Sequence, residues 1–117
     1  MNNLYILWTD SNPTTATNMV LLYAMNAMKN KWWEKITIIS CGATQQLLLT
    51  NANIYEMTQG AKHLGVEFSC SLPSATAMKN KERLEKLGFE VKEWGPMLTG
   101  IIKSNEKLKH IPVIYFS

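Results

Sequence analysis

The chain has 117 residues, of which 46% are hydrophobic and 18% charged, and its formal net charge is +3. This composition predicts one globular domain over residues 1–117 with a single core that needs no disulfide or metal. The basic residues are dispersed and include one arginine, which argues against a nucleic-acid partner. Without a signal peptide or an apolar run of bilayer length, and with two cysteines suited to free thiols, we expect no membrane association and a cytoplasmic location.

Five apolar, β-branched or aromatic runs alternate with helix-like segments along the chain. The predicted strands cover residues 4–8, 36–39, 66–68, 89–92 and 111–116. Near-continuous apolar runs are typical of parallel strands buried on both faces, whereas the alternating fourth run suits an edge strand. The order of elements predicts an α/β protein, a three-layer α/β/α sandwich around a parallel sheet.

The helical segments carry recognisable starts and stops. The first helix is predicted to begin near Pro13, and the second region, 43–64, to break near Thr50 and to stop at Gly65. A third helix is predicted over residues 74–87, capped by Ser74 or Thr76 and ended by Gly88, and a fourth over 96–103.

The first helix is apolar on more than one face. Its surplus apolar side chains predict a contact between subunits. They are Met19, Leu22 and Met25, together with Trp32 or Trp33.

The two cysteines give the sharpest chemical signal, because Cys41 and Cys70 each close a predicted strand. Open α/β sheets place their chemistry at the carboxyl ends of the strands. That edge is predicted to collect Trp8, Thr9, Asp10, Cys41, Gly42, Cys70, Ser71, Trp94, Gly95 and Ser117. His63 and His110 precede strands and fall at the opposite edge, so neither a Cys–His pair nor a metal site is expected.

The loop over residues 8–13 contains no glycine, so it is neither a P-loop nor a dinucleotide fingerprint, and no cofactor is predicted. Its hydroxyl groups either hold an anion at the start of the helix or only cap that helix. Two alternatives also stay open for Cys70. A helix beginning near Ser74 would favour a thiolate, whereas a buried cysteine would be inert.

Several stretches, in their order and spacing, resemble the DsrE/DsrF-like family. They are residues 4–9, 18–27, 32–39, 64–70, 84–92 and 96–99. The resemblance implies a five-stranded parallel sheet in the order 4-3-2-1-5 and homo-oligomers, often trimers or hexamers. In some members a cysteine after the third strand, the position of Cys70, carries a persulfide. This chain has Ser71, Leu72 and Pro73 where many members have a further cysteine, which favours a single-cysteine relay over a dithiol one. In the family order Cys41 could approach Cys70, and pairing would need their Cα atoms within about 7 Å.

Three functions follow as hypotheses. The first is a sulfur carrier that holds a persulfide on Cys70, expected to be the more reactive thiol, and exchanges it with a donor or acceptor protein. The second is a non-catalytic oligomeric module that binds a small anionic or nucleotide-like ligand at the carboxyl edge of the sheet. Its candidate binding residues are Trp8, Thr9, Asp10, Ser11, Cys41 and Trp94. The third is a structural component whose activity lies in a partner.

Overall fold

The computed structural model describes residues 3–103 and 113–116, and its centre is one parallel sheet. The strands are β1 (Asn3–Trp8), β2 (Lys35–Ser40), β3 (Glu67–Ser71), β4 (Glu90–Lys92) and β5 (Val113–Phe116). They pair in the order β4-β3-β2-β1-β5, and every pairing is parallel. The register sets Cys70 opposite Ser40 on one side and Val91 on the other. The predicted α/β class with a parallel sheet is confirmed; residues 111 and 112 of the last predicted strand lie outside the described residues.

The first helical stretch has three parts. Helix α1 (Pro13–Thr15) begins at the predicted proline, and the π-helical segment (Ala16–Leu21) then leads into helix α2 (Leu22–Lys29). Asn12 caps α1, because its side-chain oxygen accepts from the backbone N–H groups of Thr14 and Thr15.

The predicted break in the second helical region is confirmed. Helices α3 (Thr44–Thr50) and α4 (Ala52–His63) meet at Asn51, whose side chain accepts from the backbone N–H of Ile54 and so caps α4. Gly65 follows α4 with a φ of +102°, the conformation that ends many helices.

The single helix predicted over residues 74–87, with Ser74 or Thr76 as its cap, is wrong. Two helices stand there, α5 (Leu72–Ala77) and α6 (Lys81–Lys86), and Gly88 follows α6 as predicted. The chain turns at Lys79, a lysine with a φ of +57°. Because that left-handed residue is not a glycine, the sequence carried no signal for the break. Helix α7 (Gly95–Lys103) completes the helices that the described residues form.

The helices divide unequally between the two faces of the sheet. From β1 to β4 each new strand is added on the same side of the last one, and right-handed crossovers then bring their helices to one face. That face carries the main core, which contains Leu4, Ile6, Ile36 and Ile38 from the sheet. Helix residues of the same core include Val20, Ala24, Leu48, Ile54, Ala75 and Leu84.

The connection from β4 to β5 reverses direction, so α7 lies on the opposite face. A smaller core forms there from Tyr5, Ile39, Trp94 and Ile101, with Leu98 packed against it. Within the described ranges, no helix is both long and apolar enough to cross a membrane.

Candidate functional site

Cys70 lies inside β3, and its side chain belongs to the main core. The residue is 0% exposed. Burial raises the pKa of its thiol to about 12, the charge of Cys41 adds to that rise, and Lys62 opposes it. Of the two alternatives left open for Cys70, the structure therefore has the buried cysteine and not an accessible thiol with a lowered pKa. The physical reason is that β3 continues to Ser71, so the cysteine occupies an inward position of the strand.

Cys41 lies one residue beyond β2 and points to the other face. It is half-buried and packs against the smaller core under α7, whereas Cys70 packs in the main core. Burial raises the pKa of the Cys41 thiol as well. Since neighbouring positions of a strand point to opposite faces, the sheet itself separates the two sulfur atoms. Both cysteines are free, and the approach of Cys41 to Cys70 does not lead to a disulfide in this structure.

The loop after β1 satisfies its own polar groups. Trp8 is fully buried, and its indole N–H donates to the backbone oxygen of Asp10 at 3.0 Å. The Asp10 carboxylate accepts from the backbone N–H of Asn12 at 2.9 Å. Thr9 is half-buried and Ser11 is exposed. The cap of α1 is therefore the side-chain oxygen of Asn12, and not one of the hydroxyl groups that the sequence offered for this role.

The turn after β2 is tied to the end of β3. The backbone N–H of Gly42 donates to Ser74 Oγ at 3.0 Å, so Ser74, which lies within α5, joins that helix to the turn after β2 instead of capping a helix. Gln45 is fully buried, and its Nε2 donates to the backbone oxygens of Ser40 and Ser71. The turn after β2 is thus anchored to α5 through Gly42 and Ser74.

Trp94, a member of the predicted set, lines a pocket. Its indole N–H donates to Ser69 Oγ at 2.7 Å, and the Ser69 hydroxyl donates in turn to Glu90 Oε1 at 2.8 Å. Tyr5 meets the indole edge-on, with 6.2 Å between ring centroids. The ammonium group of Lys92 lies 4.5 Å from the centre of the indole ring. Three neighbours, Ser69, Tyr5 and Lys92, therefore contact one aromatic ring just after the end of β4.

This polar pocket has a volume of about 200 Å³ and lies on the α7 side of the sheet. Its walls are Tyr5, Lys35, Thr37, Glu67, Phe68, Ser69, Glu90, Lys92, Trp94 and Met97. Lys35 and Glu67 form an ion pair at 3.4 Å across the β2–β3 pairing, and both side chains are about half exposed.

Apart from Trp94, the residues of the polar pocket were not anticipated from the sequence. A signal was nevertheless present, because polar residues alternate along three strands: Lys35 and Thr37, Glu67 and Ser69, Glu90 and Lys92. A period of two in consecutive strands marks one polar face of a sheet.

The remaining predicted positions do not converge on the cysteines. His63 ends α4 and is exposed, before β3 and away from its carboxyl end. His110 and Ser117 lie outside the described residues. Over residues 3–103 and 113–116, no three His, Cys, Asp or Glu side chains are grouped so that they could hold a metal ion.

Comparison with known proteins identifies a structural counterpart. The fold is similar to the solved structure of a conserved protein of unknown function, BT1422, from Bacteroides thetaiotaomicron. The TM-score is 0.88 at 24% sequence identity, over 98% of this chain and 95% of that chain. No protein-family model matches the sequence, and no curated protein matches it. The similarity supports the fold of this chain.

Proposed function

We propose that the protein is a non-catalytic module that binds a small polar ligand beside Trp94, in the polar pocket that runs along the α7 face of the sheet from the amino ends of β2 and β3 to the carboxyl end of β4. The observation that carries this proposal is the direction in which the chain leaves β3 and β4. After β3 it enters α5 on the main-core side, and after β4 it enters α7 on the opposite side. Neighbouring strands whose connections diverge leave a crevice at their carboxyl ends, which is where open α/β sheets bind ligands.

The polar pocket borders this crevice at Lys92 and Trp94, and its side chains are suited to recognition. Trp94 and Tyr5 supply apolar surface, and Ser69, Glu90 and Lys92 supply hydrogen bonds and charge. Small-molecule sites commonly combine an apolar wall with a few oriented polar groups. Among the residues expected to bind, Trp94 takes part in this proposal directly, whereas Trp8 is closed off in the main core.

The alternative is a persulfide carrier at Cys70, which rests on the resemblance to the DsrE/DsrF-like family. A nucleophilic cysteine needs an accessible thiolate. Cys70 is fully buried and its pKa is raised to about 12, so sulfur transfer would require β3 to leave the core. The binding module needs no such opening and is the better supported of the two.

We also propose that the protein belongs to that family, that it forms trimers or hexamers and that its location is cytoplasmic. The exposed apolar residues of the first helical stretch support self-association. Met19, Leu22 and Trp32 all keep a large exposed fraction.

Thiol chemistry separates the two functions. The parent protein, Cys70→Ser and Cys41→Ser are incubated with a cysteine desulfurase and cysteine, and added sulfur is read by intact mass. Parallel samples receive a water-soluble maleimide with and without urea. We expect no persulfide on the folded parent, slow labelling of Cys70 in buffer and fast labelling in urea. A parent protein that gains one sulfur atom, lost in Cys70→Ser and retained in Cys41→Ser, would establish the carrier in place of the binding module.

A further inference from the structure

The charges around the polar pocket are balanced. Two lysines, Lys35 and Lys92, face two glutamates, Glu67 and Glu90. A ligand that carries only negative charge would meet both carboxylates, and one that carries only positive charge would meet both ammonium groups. Like charges brought together at close range repel, so this lining disfavours phosphates and simple amines alike.

Two of these charged side chains, Glu90 and Lys92, are exposed, and each contacts a neighbour in the pocket. Ser69, which is 2% exposed, donates to one oxygen of Glu90, and among the described residues no hydrogen bond to the other carboxylate oxygen is seen. Lys92 is held over the indole ring of Trp94. Glu90 and Lys92 are two positions apart on β4, so they share a face with about 7 Å between their Cα atoms. The other pair, Lys35 and Glu67, already neutralises itself as a surface ion pair.

We propose that the polar pocket binds a small zwitterion of the α-amino-acid type. Its ammonium group would lie at the open oxygen of Glu90, its carboxylate at Lys92, and its side chain against Tyr5 and Met97. Among the described residues Glu90 and Lys92 form no ion pair with each other, so an anion and a cation on one face of β4 are both left for a group that carries the two opposite charges. This inference rests on the proposed binding function and adds the class of ligand to it.

The indole N–H of Trp94 is the reporter for the test. The chain has four tryptophans, so its amide spectrum contains four indole signals, and Trp94→Phe assigns the relevant one. L-alanine, L-leucine, L-phenylalanine and L-glutamine are titrated separately, followed by inorganic phosphate and AMP. For leucine the matched analogues are 4-methylpentanoate, which lacks the ammonium group, and 3-methylbutylamine, which lacks the carboxylate.

We expect at least one amino acid to move the Trp94 signal with saturation, and either analogue that lacks one charge to bind about tenfold more weakly. Glu90→Gln and Lys92→Gln should each weaken binding by a similar factor. Glu56→Gln and Lys86→Gln change the same residue types at exposed positions outside the pocket lining and should leave binding unchanged.

The outcomes also separate this inference from the function on which it rests. A Trp94 signal that responds to phosphate or AMP and to none of the amino acids overturns the zwitterion and leaves the binding module standing. If none of the probes shifts the Trp94 signal, the zwitterion site is overturned. The persulfide assay tests the carrier alternative independently. Equal binding by Glu90→Gln, Lys92→Gln and the parent would also overturn the site.

Discussion

At the scale of single residues, the hydrogen bonds of Ser69 link the core to the polar pocket. Its hydroxyl accepts from Trp94 and donates to Glu90, so a buried indole N–H and an exposed carboxylate are oriented by one small side chain. A buried indole N–H without an acceptor would be destabilising, which explains the need for a polar residue at this otherwise buried position.

Trp94→Phe should lower the free energy of unfolding by about 1–3 kcal/mol, because it removes the indole hydrogen bond and some apolar contact while leaving Ser69 buried without its donor. Urea denaturation measures the change. Trp32→Phe is the matched control, since Trp32 is 56% exposed, and its expected effect is within about 0.5 kcal/mol. Equal losses in the two variants would mean that the Ser69 contact contributes nothing.

The buried thiol of Cys70 makes stability depend on pH. Its pKa is raised from an ordinary 9.0 to about 12, so between those values the folded protein keeps a proton that the unfolded chain releases. The contribution of the Cys70 thiol to the free energy of unfolding is fully present below pH 9. It falls as the pH rises toward 12, by up to about 1.4 kcal/mol per pH unit.

Urea denaturation of the parent and of Cys70→Ala, from pH 8 to the alkaline limit of reversible folding, tests this linkage. The difference between the two proteins removes the titration of lysines and tyrosines. We expect the loss of stability at alkaline pH to be shallower in Cys70→Ala, and to change less in Cys41→Ala, because the Cys41 thiol is only half-buried. Parallel curves for the parent and Cys70→Ala would show that the thiol is not buried as described.

At the scale of elements, the chain between β3 and β4 shows how a local turn reshapes a helical segment. The N–H of Asn80 donates to the backbone oxygen of Ala75 at 2.8 Å, and Lys79 takes the left-handed conformation. The turn separates α5, which supplies Ser74 to the Gly42 turn, from α6, which buries Leu84 in the main core. Two short helices therefore satisfy contacts that one straight helix would not reach.

Lys79→Gly should raise the free energy of unfolding by about 1 kcal/mol, because a residue with a side chain is disfavoured at a φ of +57° and glycine is not. Lys86→Gly places the same substitution in regular α6 and should lower stability by about 1 kcal/mol. Thermal unfolding of both variants gives the comparison. A destabilised Lys79→Gly would argue that residues 74–87 form the continuous helix that the sequence predicted.

At the scale of the whole molecule, the order of the strands decides which surfaces remain open. Three crossovers share one face of the sheet, and in the described chain α7 is the helix that packs on the other. The polar pocket lies beside α7 on that second face. The exposed apolar residues of the first helical stretch lie on the side of the main core, so the proposed subunit contact and the proposed ligand site are on opposite sides of the sheet.

The double variant Met19→Lys with Leu22→Lys should shift the protein toward monomer in sedimentation velocity, because it introduces charge into the proposed contact. Both residues are more than 40% exposed, whereas Met25 and Trp33 pack partly against the main core and are less suitable targets. Met97→Lys is the control on the α7 side. A monomeric parent protein would remove the self-association proposal.

Within the sequence itself, the periodicity of apolar residues determined the strands, the α/β class and most helix boundaries, because burial on two faces or one face leaves a pattern in every segment. Pro13 marked the start of a helix, and Gly65 and Gly88 marked the residues that follow helices, because these residue types have strong local backbone preferences. The turn at Lys79 was not predicted from the sequence, since its cause is tertiary packing and not a residue preference. The surroundings of Cys70 also depended on the fold, because exposure and pKa come from neighbours that are distant in sequence. Only the tertiary structure brought Lys35, Ser69, Glu90 and Trp94 together around one pocket, because strand order and register, which are not local properties of the chain, decide which alternating residues become neighbours.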